Sequence, residues 1–153
     1  MVSKEQVLQA QKHWGESIVK IGSLKDNRQK CENFTNKFLD ETYAFDLGKV
    51  LFKPTIAAIF QFRADKESAL SYFIGGNSNF TEDNGFAITP WKEVAFDDDF
   101  NIILEENRAI IMGNYYFTDM DNNKVKVEYT FGYRLHNGKL KIDLHHSSFP
   151  FSG

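Results

Sequence analysis

Apolar residues recur at three- and four-residue steps near the start of the chain: Val7, Leu8, Ala10, Trp14, Ile18, Val19 and Ile21, with Gln11 on the same side. That spacing predicts an amphipathic helix. Gly22-Ser23 interrupts it. Asp26 or Asn27 is placed to cap a second helix, which carries Cys31, Phe34, Thr35, Phe38, Leu39 and Thr42 on one face and ends near Gly48. Residues 50–55 read as a short extended segment, because Pro54 excludes a helix through them. Asp65-Lys66-Glu67 opens a third helix, which runs through Ala69, Leu70 and Tyr72-Phe73 to a stop at Gly75-Gly76. From residue 91 the pattern becomes strand-like: 91–96, 101–104, 108–118, 124–135 and 139–149, separated by Asp97-Asp98-Asp99, Asp121-Asn122-Asn123 and Asn137-Gly138. Helices followed by an antiparallel meander predict an α+β domain, with the helices covering one face of a curved sheet.

Asn137-Gly138 is a strong two-residue hairpin signal, and it fixes a register. With His136 opposite Lys139, a regular ladder sets Tyr133 against Ile142, Phe131 against Leu144, Tyr129 against His146, and Val127 against Ser148. Opposed residues share a face. The inner face is then apolar and turns polar only at Tyr129, His146 and Ser148. A two-residue loop at either position within 121–123 adds Ile110, Met112, Asn114, Tyr116 and Thr118 to that face. Tyr129, Asn114 and Tyr116 are therefore the expected substrate-binding residues beside His146 and Ser148. A bulge in the last strand would exchange the inward pair for His145 and Ser147, which are held as second candidates.

Composition narrows the function. The 153 residues suit one domain, 1–153, and the net charge of −3 without a basic stripe gives no footprint for nucleic acid. No stretch approaches the roughly 20 apolar residues of a membrane helix. The single cysteine, Cys31, reads as a packed thiol. Fifteen Phe, six Tyr and two Trp exceed the needs of a small core and suggest a ring-walled cavity or an interface. The polar outer face and the aromatic count fit a homodimer or larger homo-oligomer.

His145-His146-Ser147-Ser148 is the densest chemical feature. Neighbouring histidines on a strand point to opposite faces, so the pair does not chelate one metal without distortion. One inward His with one inward Ser suits acid–base work. Thr55, just after Pro54, and Tyr72, on the third helix, are further hydroxyl candidates. The Asp97-Asp98-Asp99 run lacks the Gly and spaced Glu of a calcium loop. Neither a phosphate-binding Gly loop nor a Gly-x-Ser-x-Gly elbow occurs.

Taken together, Phe52-Lys53-Pro54-Thr55, Phe62-Arg63, Ser71-Tyr72-Phe73, Gly85-Phe86-Ala87-Ile88-Thr89-Pro90-Trp91, Met112-Gly113-Asn114-Tyr115, Val127-Glu128-Tyr129-Thr130-Phe131-Gly132-Tyr133 and His145-His146-Ser147-Ser148-Phe149-Pro150 resemble the iota-class carbonic anhydrases. The resemblance implies a cone-shaped α+β barrel of the nuclear transport factor 2-like (SnoaL-like) type, shared with the calcium/calmodulin-dependent kinase II association domain. It implies reversible hydration of carbon dioxide to bicarbonate, without a metal in part of the family; manganese or zinc is the alternative. It also implies that such domains occur in tandem, and a plastid location if the source is algal, or cytoplasm or periplasm if bacterial.

The family's bicarbonate-holding Thr, Tyr and Ser would fall on Thr55, Tyr72 and one serine of the terminal motif. The regular register selects Ser148, with His146 as proton acceptor for a water held by the cradle. Two other readings compete on the same fold. A ketosteroid-isomerase-like enzyme needs an inward carboxylate, which the derived inner face lacks. The other is a non-catalytic association module.

Overall fold

The computed structural model describes residues 1–153. Three helices, α1 (Lys4–Ser23), α2 (Arg28–Thr42) and α3 (Lys66–Ile74), accompany five strands. The strands are β1 (Leu51–Lys53), β2 (Trp91–Leu104), β3 (Arg108–Asp119), β4 (Lys124–His136) and β5 (Lys139–Ser148). They form one sheet in the order β1-β5-β4-β3-β2, antiparallel except where β1 runs parallel to β5. The architecture is the expected α+β one.

Each helix starts where a side chain can satisfy its free amides. Ser3 and Gln6 form a reciprocal capping box on α1, while Asn27 and Asp65 cap α2 and α3. The apolar stripe of α1 lies across the sheet, and Trp14 is its centre. Its indole packs on Tyr115 at 5.6 Å between ring centroids and on Phe131, Phe117, Phe96 and His145 within 6.3 Å. An aromatic side chain buries about 150–250 Å², so each such ring contributes roughly 4–6 kcal/mol of gross hydrophobic stabilisation.

Three departures from the expected strands decide which residues face this core. The segments 91–96 and 101–104 are one strand, β2, because Asp97-Asp98-Asp99 forms an irregular bend between the pairs Phe96–Tyr115 and Phe100–Gly113 rather than a turn. The β3–β4 connection closes on Asp119 and Asn123, leaving a three-residue loop with Asn122 left-handed at φ 66°. The Asp119 carboxylate accepts the amides of Asp121 and Asn123 and so stabilises that loop. One residue more than a two-residue turn inverts β3. Ala109, Ile111, Tyr115 and Phe117 are buried inside, and Asn114 and Tyr116 lie on the outer face. The expectation that these two line the cavity is therefore corrected.

The third departure is in β5. Tyr133 pairs with Ile142, but Gly132 pairs with Leu144, so Asp143 is an extra residue in a bulge. Gly132 makes this possible: a Cβ there would lie 2.7 Å from the Cβ of Leu144. Arg108 grips the Asp143 carboxylate with both terminal guanidinium nitrogens. Beyond the bulge His145 and Ser147 face inward, at 2% and 1% exposure, whereas His146 is exposed and Ser148 half-buried on the opposite face. The regular-ladder choice of His146 and Ser148 is corrected to the pair held second.

Candidate active site

Five elements deliver hydroxyl and imidazole groups to one place. Parallel pairing sets Phe52 of β1 beside His145 of β5, and Pro54 then turns the chain so that Thr55 meets Ser147. Their Oγ atoms are 2.5 Å apart. The Tyr115 hydroxyl, from β3, lies 2.6 Å from Ser147 Oγ and 3.1 Å from His145 Nε2. The Tyr72 hydroxyl, from α3, accepts the amide of Ile56 at 3.2 Å and lines the same cavity as Thr55. Behind them, Tyr43 at the end of α2 places its hydroxyl 2.8 Å from His145 Nδ1 and receives the Trp14 indole N–H at 3.0 Å.

These groups enclose a cavity lined by Thr55, Tyr72, Tyr115, His145 and Ser147 on its polar side and by Phe52, Phe73 and Phe86 on its apolar side. It offers about 10 Å³, room for something on the scale of a single water.

Burial sets the charge states. The His145 ring is stacked between Phe131, 4.2 Å away, and Phe52, 5.0 Å away. Loss of solvent, with a smaller contribution from His146, lowers its pKa to about 3. His145 is therefore neutral near pH 7 and a weak proton acceptor. Burial also raises the Tyr43, Tyr72 and Tyr115 hydroxyls above the ordinary tyrosine range. The polar wall is thus a set of neutral hydroxyls around a neutral imidazole.

The loop after Thr55 is held from beneath. Arg63, fully buried, donates to both Asp83 oxygens at 2.8 Å, and Asp83 also accepts the Ser71 hydroxyl at 2.6 Å. Glu82 accepts the amides of Ala58, Ile59 and Phe60. These contacts fix the segment whose Ile56 amide orients Tyr72. They also occupy Asp83, a carboxylate beside the cradle, so it is not a free base.

Thr55 and Tyr72 are thus brought together, and with them come His145 and Ser147 rather than His146 and Ser148. Tyr129 faces inward but lies outside the cavity, with its ring on Phe96, Tyr115 and Phe131. Tyr115, Tyr43 and Trp14 were not foreseen as site residues. The inverted parity of the β3–β4 loop hid Tyr115, and long-range packing alone brings Tyr43 and Trp14 to His145.

A pocket that is aromatic on one side and lined by hydroxyls and an imidazole on the other suits a substrate that is apolar on entry and anionic on exit. The family comparison agrees with that chemistry: residues 5–149 match the model of the metal-independent carbonic anhydrases. The chain belongs to this family. It is 37% identical to a metal-independent carbonic anhydrase of Nostoc sp., over 98% of this chain and 75% of that relative. It superposes on the crystal structure of a cyanobacterial iota-carbonic anhydrase complexed with bicarbonate, with a TM-score of 0.95 and 35% identity over 99% of this chain and 94% of that one.

A calcium/calmodulin-dependent protein kinase II association domain from Xanthomonas campestris shares the fold, with a TM-score of 0.66 and 23% identity over 100% of this chain and 91% of that one. A nuclear transport factor 2-like protein from Pseudomonas putida also shares it, with a TM-score of 0.60 and 14% identity over 97% of this chain and 87% of that one, so the fold is the expected cone-shaped α+β one. The family's metal independence sets aside the manganese or zinc alternative. No three His, Cys, Asp or Glu side chains converge on a point where a metal ion could sit.

Proposed function

We propose that this carbonic anhydrase hydrates carbon dioxide at the Thr55–Ser147–Tyr115–Tyr72 cradle, with His145 behind it. The observation that carries the reading is the continuous hydroxyl chain closing on a cavity of single-molecule size. The bicarbonate bound by the cyanobacterial relative supports it.

The difficulty for any such enzyme is the nucleophile. A zinc ion lowers the pKa of bound water from about 15.7 to about 7, worth roughly 12 kcal/mol. Neutral hydroxyls and a neutral His145 do not supply that by deprotonating water in advance. They can align it. Water held against Thr55 Oγ1 attacks the carbon of carbon dioxide that arrives from the adjoining pocket of about 290 Å³, which shares Tyr72 and Phe86 with the cavity. One water proton passes to Thr55 Oγ1 while the Thr55 proton passes to a carbon dioxide oxygen, so no charge is left in the buried site. The product is carbonic acid, which ionises to bicarbonate. This replaces proton uptake by His146, whose ring is on the other face of β5.

Stopped-flow hydration assays on the wild type and on Thr55→Ala and Ser147→Ala test the assignment. Wild-type activity with full rates in both variants would overturn the cradle. We also infer that the working protein is a homodimer or larger homo-oligomer, supported by the exposed apolar side chains Ile59 and Phe62. Sedimentation velocity decides this, and a monomer at assay concentration would refute it.

A further inference from the structure

We propose that Tyr43, itself oriented by Trp14, is a positioning residue that locks His145 in the tautomer protonated at Nε2. This turns the Tyr115 and Ser147 hydroxyls of the cradle to donate towards Thr55. The directional consequence is independent of the reaction, while its catalytic meaning rests on the carbonic anhydrase reading above.

Each proton around the buried His145 ring is limited to the partners within hydrogen-bond reach. The Trp14 indole nitrogen can only donate, and it donates to the Tyr43 oxygen. Tyr43 is fully buried, and its hydroxyl has two neighbours: that indole and His145 Nδ1. The Tyr43 proton therefore has one available acceptor, Nδ1. The opposite tautomer would carry its proton on Nδ1 and leave the Tyr43 O–H buried and unpartnered, at the full desolvation cost of that group.

With Nδ1 accepting, the neutral ring carries its proton on Nε2 and donates it to the Tyr115 oxygen. Tyr115 must then donate onward to Ser147 Oγ, and Ser147 to Thr55 Oγ1. The Thr55 proton is left for whatever occupies the cavity. The Tyr72 oxygen already accepts the Ile56 amide, so its own proton is also available. The cradle is preset with two donors facing the cavity, the arrangement an oxyanion needs.

The backbone holds this switch-setting group in place. Tyr43 bridges in parallel to Ile142, and the next amide, that of Ala44, donates to the Ile142 carbonyl at 2.8 Å. Tyr43 is thereby pinned to β5 just before the bulge that turns His145 inward.

Nitrogen-15 NMR of the histidine rings in the full chain tests this, with the His145 resonances assigned by their loss in His145→Gln. The wild type should show Nε2 protonated and Nδ1 unprotonated, without substrate. Tyr43→Phe should admit the Nδ1-protonated form and lower kcat roughly tenfold or more with little change in KM. The outward His146→Ala should leave the tautomer as it is.

A wild-type ring protonated on Nδ1, or on both nitrogens, overturns the lock without any variant, so a Tyr43→Phe protein that fails to fold does not shelter the proposal. A folded Tyr43→Phe enzyme with wild-type kcat, or with reduced kcat and an unchanged tautomer, overturns the positioning role. Absence of hydration activity in a wild type with the expected tautomer would instead count against the function.

Discussion

Ser147 Oγ lies 2.5 Å from Thr55 Oγ1 although 92 residues separate them. The contact exists because β1 pairs in parallel with the end of β5, and because the Asp143 bulge turns Ser147 rather than Ser148 towards Pro54.

That contact separates the two serines experimentally. Ser147→Ala removes the middle of the hydroxyl chain, leaves Thr55 Oγ1 without the donor that orients it, and should reduce the hydration rate by about tenfold to a hundredfold. Ser148→Ala, on the opposite face, should retain the wild-type rate. Stopped-flow assays of the pair decide it, and the reverse ranking would restore the regular register.

Acidification should reveal His145. Its folded pKa of about 3 lies below the unfolded value near 6.5. The unfolded chain therefore binds more protons between those values. The contribution of this ring to stability is complete above about pH 6.5 and is lost as pH falls towards 3, by at most about 5 kcal/mol. Thermal unfolding followed over that range should show a steeper acid limb in the wild type than in His145→Gln. Equal slopes would mean that the ring is not buried neutral.

Gly132→Ala should destabilise the fold by about 1–3 kcal/mol, because the new Cβ overlaps Leu144 at the bulge. The hydration rate should fall with it, since the bulge aims His145 and Ser147. Chemical denaturation and the rate assay together check this, and a variant unchanged in both would show that the bulge does not depend on the glycine.

Asp83→Asn should cost about 2–4 kcal/mol by replacing the bidentate carboxylate on the buried Arg63 guanidinium with a neutral amide, leaving only the longer pair to Glu82 at 3.5 Å. Loosening of the 56–60 loop should also raise KM by releasing the Ile56 amide from Tyr72. An unaltered melting temperature would count against this support.

Exhaustive dialysis against chelator should leave kcat unchanged, as the family's metal independence requires. Activity lost on chelation and restored by zinc or manganese would contradict it.

Much was legible locally. The periodicity of 7–21, the capping residues Asn27 and Asp65 and the hairpin at Asn137-Gly138 report interactions within a few residues, which operate in any tertiary setting. Thr55 and Tyr72 were reached from the sequence through the resemblance. A clue to the bulge was present too. A lone glycine inside a strand pattern, Gly132, often marks a bulge or a close approach, and here it marks both.

The amino-acid sequence by itself determined the elements, their order and the chemistry of the terminal His-Ser motif, because helix periodicity, caps and turn residues act over short range. Facing was left to the tertiary structure. Strand parity inverts with a single residue, so the three-residue loop at 120–122 and the bulge at Asp143 exchanged Tyr116 for Tyr115, and His146 and Ser148 for His145 and Ser147. The partners of His145 were decided there as well. Trp14 and Tyr43 stand 131 and 102 positions away in the chain, and only packing of α1 and α2 on the sheet brings them to the ring.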